Sequence, residues 1–180
     1  VAEVKTGANW WLGGEGRYLF EPACDYWRAS FFTEKRSVKT WSMNLWNNGE
    51  WRRTNSGYSL DEYSFFEHGA RVGWAPVKNF RLKGELTKRV KDYSSSLNSW
   101  TKYDLLAEGR SKYNQHELTV SYKETTGEYP ENAWGNYLSN TWGVDWIWDL
   151  TDSTRIRLDH SRLFKKWGDG KRRTERNILA

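Results

Sequence analysis

Apolar and polar residues alternate with a period of two along most of the chain, as in strands whose successive side chains point to opposite faces. Between Asn79 and Lys91 one parity carries Phe80, Leu82, Gly84, Leu86 and Val90, with Lys88 intruding. The other carries Arg81, Lys83, Glu85, Thr87 and Arg89. Trp142, Val144, Trp146, Trp148 and Leu150 repeat the pattern against Gly143, Asp145, Ile147 and Asp149. Near the start, Ala2, Val4, Ala8, Trp10 and Leu12 do so again. Shorter versions are Trp27/Ala29/Phe31, Trp41/Met43/Leu45, Phe66/Ala70/Val72/Trp74, Tyr103/Leu105/Ala107, Leu118/Val120/Tyr122 and Ile156/Leu158. No helical stripe competes, so the pattern predicts an all-β, antiparallel up-and-down chain. Roughly ten to twelve strands fit at ordinary β spacing.

Turn chemistry separates these runs. Ala75–Asn79 and Leu150–Thr154 hold the Pro, Asp and Ser that favour tight connections. Glu34–Ser37 and Gly109–Lys112 read as two more, and Gly13-Gly14-Glu15-Gly16 as a bend between strands. The polar stretches Asn47–Ser59, Asp92–Asn98, Glu124–Asn140 and Trp167–Arg173 read as longer loops. Short turns thus alternate with long loops, and no linker divides residues 1–180, which form one domain.

Composition narrows the field. The 180 residues include 13 Trp, 10 Tyr and 7 Phe, too aromatic for disorder, although mean hydropathy is −0.92. One cysteine, Cys24, excludes an intrachain disulfide, and its acidic neighbours Glu21 and Asp25 disfavour a reactive thiolate. No apolar run approaches the ~18 residues of a transmembrane helix. The net charge of +5 is spread along the chain with both signs mixed, unlike a nucleic-acid interface.

Two environments suit such strands. A soluble sandwich or barrel keeps one face as core. A membrane barrel turns its apolar face to lipid and its polar face to the interior. The ionic parity of Asn79–Lys91 suits a hydrated lumen, and the short-turn, long-loop asymmetry suits periplasmic and extracellular ends. Trp74, Tyr93, Trp100, Tyr103, Trp142 and Trp148 fall near strand ends, where interfacial aromatics belong. The expected fold is therefore a single transmembrane β-barrel.

The stretches Gly73–Glu85 and Trp146–Leu158 resemble hairpins of bacterial, porin-like outer-membrane β-barrels. In those a strand closes at a short periplasmic turn and the next opens with basic and apolar residues alternating. The resemblance implies an outer-membrane location, a lipid bilayer partner, and a porin-like role or one sheathing a partner within a larger protein assembly.

In a barrel, Arg71, Arg81, Lys83, Arg89, Arg155 and Arg157 would point inward beside Glu67, Glu85, Glu117, Asp145, Asp149 and Asp159. Interleaved signs would cross-brace the lumen, and the excess of Arg and Lys would favour small anionic solutes. The competing reading is a secreted, soluble Trp-rich β-protein binding sugar through loop aromatics, with Trp51, Tyr129 and Trp134 as contacts. Two-carboxylate hydrolysis would need Glu85, Glu117, Asp145 and Asp149 to meet in pairs, a spacing no motif imposes. His68, His116 and His160 fall on the apolar parity of three strands without metal-ligand spacing. No haem attachment or nucleotide motif is present. The expectation is a channel or scaffold, not an enzyme, with no cofactor and no nucleic-acid partner.

Overall fold

The computed structural model describes residues 2–7, 9–36, 40–57, 61–94, 98–151, 154–170 and 172–179. Eleven strands appear among them: β1 (Ala2–Gly7), β2 (Trp10–Phe20), β3 (Cys24–Lys35), β4 (Trp41–Thr54), β5 (Tyr63–Val77), β6 (Phe80–Tyr93), β7 (Trp100–Tyr113), β8 (His116–Glu128), β9 (Tyr137–Thr151), β10 (Thr154–Trp167) and β11 (Arg173–Leu179). They pair in sequence order, every pair antiparallel, as one up-and-down sheet. The sheet is not closed, because β1 and β11 remain edges. An odd strand number makes those two edges run in the same direction.

Loop lengths sort by end. The connections after β1, β3, β5, β7 and β9 have 2, 5, 2, 2 and 2 residues. Those after β2, β4, β6, β8 and β10 have 3, 8, 6, 8 and 5. Asn9 and Asn114 take positive φ (66° and 52°) at two of the tightest turns, a conformation that Asn tolerates better than most residues.

Several polar stretches that read as turns are strand. Gly109–Lys112 lies inside β7, where Arg110 bonds Glu117 of the neighbouring strand, and the turn comes later at Asn114 and Gln115. The glycine run 13–16 lies inside β2, where Gly13 lets the Phe32 ring lie against the backbone instead of bending the chain. β4 continues through Asn47 to Thr54, and β8 and β9 absorb both ends of 124–140. Ser37, Ser59, Asp152 and Ser153, assigned to turns and loops from sequence, lie outside the described residues.

Almost nothing is buried. Cys24 is the one buried apolar side chain among the described residues, while Trp27, Trp41, Trp74, Leu86, Trp142 and Leu158 are all exposed. A single sheet with no second layer leaves its apolar face uncovered, so the sandwich form of the soluble alternative is not what this chain builds.

The register gives that face a definite shape. Leu45, Ala70, Leu86 and Leu105 stand opposite one another across β4 to β7. The same line continues to Glu124 and Asn140 on β8 and β9, whose apolar residues (Val120, Val144, Trp146) lie nearer the short turns. The apolar band therefore crosses the sheet obliquely. Traced back through its partners, Trp142 of β9 reaches β3 at Lys35, eight residues from Trp27. Eight residues over six strand intervals, at about 3.3 Å per residue and 4.8 Å per strand, is a slope of about 40°.

Aromatic residues border the band. Trp27, Trp51, Phe66, Tyr103 and Trp142 follow its long-loop edge, and Trp10, Trp41, Trp74, Tyr113 and Trp148 its short-turn edge. Between them the face is mainly aliphatic. His116 stacks between Trp146 (5.7 Å) and Trp148 (5.4 Å) on this face, and His68 and His160 share it.

Candidate functional site: the polar face

The opposite face is a lattice of charge. Arg71 and Glu85 are directly opposite on β5 and β6, and their side chains meet at 2.8 Å. Lys83 reaches the same carboxylate at 3.7 Å. One step along, Asp104 accepts from Arg89 on β6 and from Thr125 on β8 (2.6 Å), with Lys123 at 3.9 Å. Arg110 and Glu117 join β7 to β8 at 2.6 Å. Arg155–Asp149 (2.6 Å) and Arg157–Asp145 (3.0 Å, two bonds) join β10 to β9, with Asp159 at 3.7 Å from Arg157. Apart from Lys83–Glu85 and Arg157–Asp159, each within one strand, the pairs span two adjacent strands, so the lattice staples the sheet.

The ten charged residues chosen from sequence (Arg71, Arg81, Lys83, Arg89, Arg155, Arg157, Glu85, Glu117, Asp145 and Asp149) thus all lie on one face. Arg81 stands opposite Arg110 without a carboxylate partner among the described residues. Each of the four carboxylates weighed for hydrolysis is held by an arginine: Glu85 by Arg71, Glu117 by Arg110, Asp149 by Arg155 and Asp145 by Arg157. Among the described residues no cluster of His, Cys, Asp and Glu is fit to hold a metal ion.

Trp46 of β4 lies at one side of the lattice, with the Arg71 guanidinium over its ring at 5.6 Å. Its Nε1 donates to Glu67 (2.9 Å), which also accepts from Asn48 (3.0 Å). Trp46 and Glu67, with Arg71, Glu85, Arg89, Asp104 and Lys123, border a depression of about 370 Å³.

Toward the long loops the same face changes character. Tyr63 lies beside Tyr93 (5.8 Å), Phe65 beside Trp100 (6.2 Å), and Tyr137 beside Trp167 (5.6 Å). Gly127 gives the Tyr137 ring room to lie against the sheet, since any Cβ there would collide with it. Lysines lie over these rings: Lys91 over Tyr63 (3.9 Å), Lys102 over Trp100 (4.2 Å), and Lys165 over both Tyr137 and Trp167 (3.8 Å each). None of the three has a carboxylate within ion-pair distance among the described residues. This collar was not legible from alternation. Tyr93 and Trp100, read as interfacial aromatics, belong to it because Trp100 stands opposite Lys91 on the polar parity.

The three candidate sugar-contact aromatics do not form one platform. Trp51 packs edge-on against Phe66 (5.3 Å) on the apolar face. Tyr129 and Trp134 lie in the connection between β8 and β9, four strands away, or about 19 Å at ordinary spacing. Trp134 is 67% exposed. Its carbonyl accepts from Arg172 (2.6 Å), and Gly168 N–H donates to the Asn136 carbonyl (2.6 Å), so two long loops are tied together. At the other end, a hydrogen bond from Arg36 to Glu34, offset in part by desolvation and reinforced by Glu3, raises the guanidinium pKa above its ordinary value.

No family model, curated protein or solved structure matches the chain.

Proposed function

We propose that this chain is an outer-membrane β-barrel, a passive channel whose inner wall is the polar face and whose charge favours small anionic solutes. The oblique apolar band carries the reading. Strands of membrane barrels tilt by about 35–45°. Tilting this sheet by the ~40° slope of its band turns that band into a level belt. Trp41 and Trp51 lie ten residues apart on the apolar side of β4. Ten residues extend about 33 Å along a strand and about 25 Å along the normal once tilted, the height of an outer-membrane apolar belt between its aromatic girdles. In water the same face would be an exposed apolar surface with nothing to cover it.

The loop asymmetry supports the same orientation, with short turns periplasmic and long loops outside. Closure then joins β1 and β11 in parallel, or through a further antiparallel strand between them. Transport involves no covalent step: the bore and the wall charges select.

The test is refolding into detergent micelles and lipid vesicles. The expected result is a folded, heat-modifiable species with steady conductance in a planar bilayer and a reversal potential on the anion side. A monodisperse folded protein in detergent-free buffer would overturn the proposal.

A further inference from the structure

Most of the arginines and lysines of the polar lattice are neutralised by a carboxylate on an adjacent strand, whereas Lys91, Lys102 and Lys165 at the long-loop end are not. Instead, each ammonium lies over an aromatic ring. A lysine in a sheet already rich in carboxylates, yet without one, is available to an anion from outside. The rings beside it offer flat apolar faces of the kind on which pyranose rings stack. The three lysines of the collar are spread from β6 to β10, four strand intervals or about 19 Å, which is longer than one small ion and suits a chain of several sugar units.

We propose that the collar formed by Lys91, Lys102 and Lys165 with Tyr63, Trp100, Tyr137 and Trp167 binds an acidic oligosaccharide at the long-loop mouth of the polar face. Carboxylates of successive sugar units take the three ammoniums in charge-assisted hydrogen bonds. Drawing each ammonium off its ring uncovers the ring face for the sugar's C–H surface. Gly127 matters to the shape, because it keeps Tyr137 flat against the wall and leaves the mouth open. The proposal rests on the polar face being the inner wall of the barrel, and it names what that wall would recognise.

The test is a titration of tryptophan fluorescence on the folded protein in detergent, a measurement that needs no conduction. The probes are a hexuronic acid trimer, the neutral trimer maltotriose, and inorganic sulfate. The expected order is tight response to the hexuronate trimer, weak response to maltotriose and none to sulfate. Lys102→Gln with Lys165→Gln weakens hexuronate binding by about tenfold or more, as loss of charge-assisted contacts does. Lys78→Gln, at the short-turn end, leaves it unchanged. If the double variant fails to fold, Lys91→Gln alone carries the test. Absence of hexuronate binding by the wild type overturns the collar, as does equal affinity for maltotriose or an unaltered affinity in the lysine variants. If hexuronate binds in detergent but no channel forms in bilayers, it is the channel reading that fails.

Discussion

The indole of Trp46 lies directly over Gly69, its partner across β4 and β5, with a ring carbon where a Cβ would otherwise project. That overlap presses the indole onto the wall and aims its Nε1 at Glu67, 2.9 Å away. Glu67 is thereby fixed between Trp46 and Asn48 beside the ion pairs of β5 and β6. A glycine on one strand thus decides where a carboxylate on the same strand points.

Gly69→Ala is therefore expected to displace the indole and cost about 1–3 kcal/mol, the usual range for overpacking a fitted contact. Trp46→Phe keeps a ring over the glycine and loses the hydrogen bond, costing about 1 kcal/mol. Urea unfolding in a fixed detergent measures both. Equal stability of Gly69→Ala and wild type would show that the indole has free room to move.

Asp104 is the acceptor at which three strands meet, with Arg89, Thr125 and Lys123 around it. Asp104→Asn removes one negative charge and leaves Arg89 without its counter-charge. It should lower stability by about 1–3 kcal/mol and move the reversal potential further toward anions. By contrast, the pair Arg71–Glu85 is half exposed on its arginine side. A double-mutant cycle there should return only about 0.2–1 kcal/mol.

The two faces make opposite demands at adjacent positions. Leu86 lies within the apolar band, while Thr87 faces the polar wall opposite Asp104. Leu86→Lys places a charge against hydrocarbon and should cost about 2–4 kcal/mol in vesicles. Thr87→Lys should change stability by no more than about 0.5 kcal/mol. Unfolding from vesicles gives the ratio directly, and comparable costs at both positions would contradict a lipid-facing band.

Much of this arrangement was legible in the sequence, because period two is a property of each strand alone. Alternation put Leu82 and Leu86 on one face and Arg81, Lys83 and Glu85 on the other, and the register agrees. It could not find strand ends where apolar residues stop alternating. Asn47–Thr54 is strand because Asn48 and Glu50 find polar partners on β5 and Arg52 bonds the Asp61 carbonyl just before it, which is information held by another segment. The same limit hid the slope of the band. Neither Trp27 nor Trp142 reveals on its own that eight residues of register separate their levels. The collar escaped for a related reason. An aromatic residue on the polar parity, such as Trp100 or Trp167, reads as an exception until its cross-strand neighbours are known.

The long loops supply another test. Arg172 donates to the Trp134 carbonyl and to Asp169, tying the β10–β11 connection to the β8–β9 connection. Arg172→Ala removes both bonds and leaves the strands untouched. Limited proteolysis should then cut near residues 129–136 several times faster, while the unfolding midpoint stays within about 0.5 kcal/mol of wild type. An unchanged cleavage rate would mean that the remaining Gly168–Asn136 bond holds the loops together by itself.

Trp51 and Trp134 separate the membrane reading from its sugar-binding rival, because the two readings assign them opposite roles. Trp51 borders the apolar band against Phe66, and the membrane reading puts its indole at the level of lipid headgroups. Removing it strips apolar area from that level, so Trp51→Ala should cost about 1–3 kcal/mol in vesicles. It should leave saccharide binding alone. Trp134 lies in a loop, 67% exposed, and Trp134→Ala should not alter stability in vesicles beyond about 0.5 kcal/mol. A soluble lectin-like protein would reverse both results: Trp51→Ala would abolish glycan binding, and lipid would make no difference to its stability. Measuring the two variants side by side, with and without lipid, distinguishes a girdle from a platform because a girdle residue acts only when there is a bilayer for it to meet.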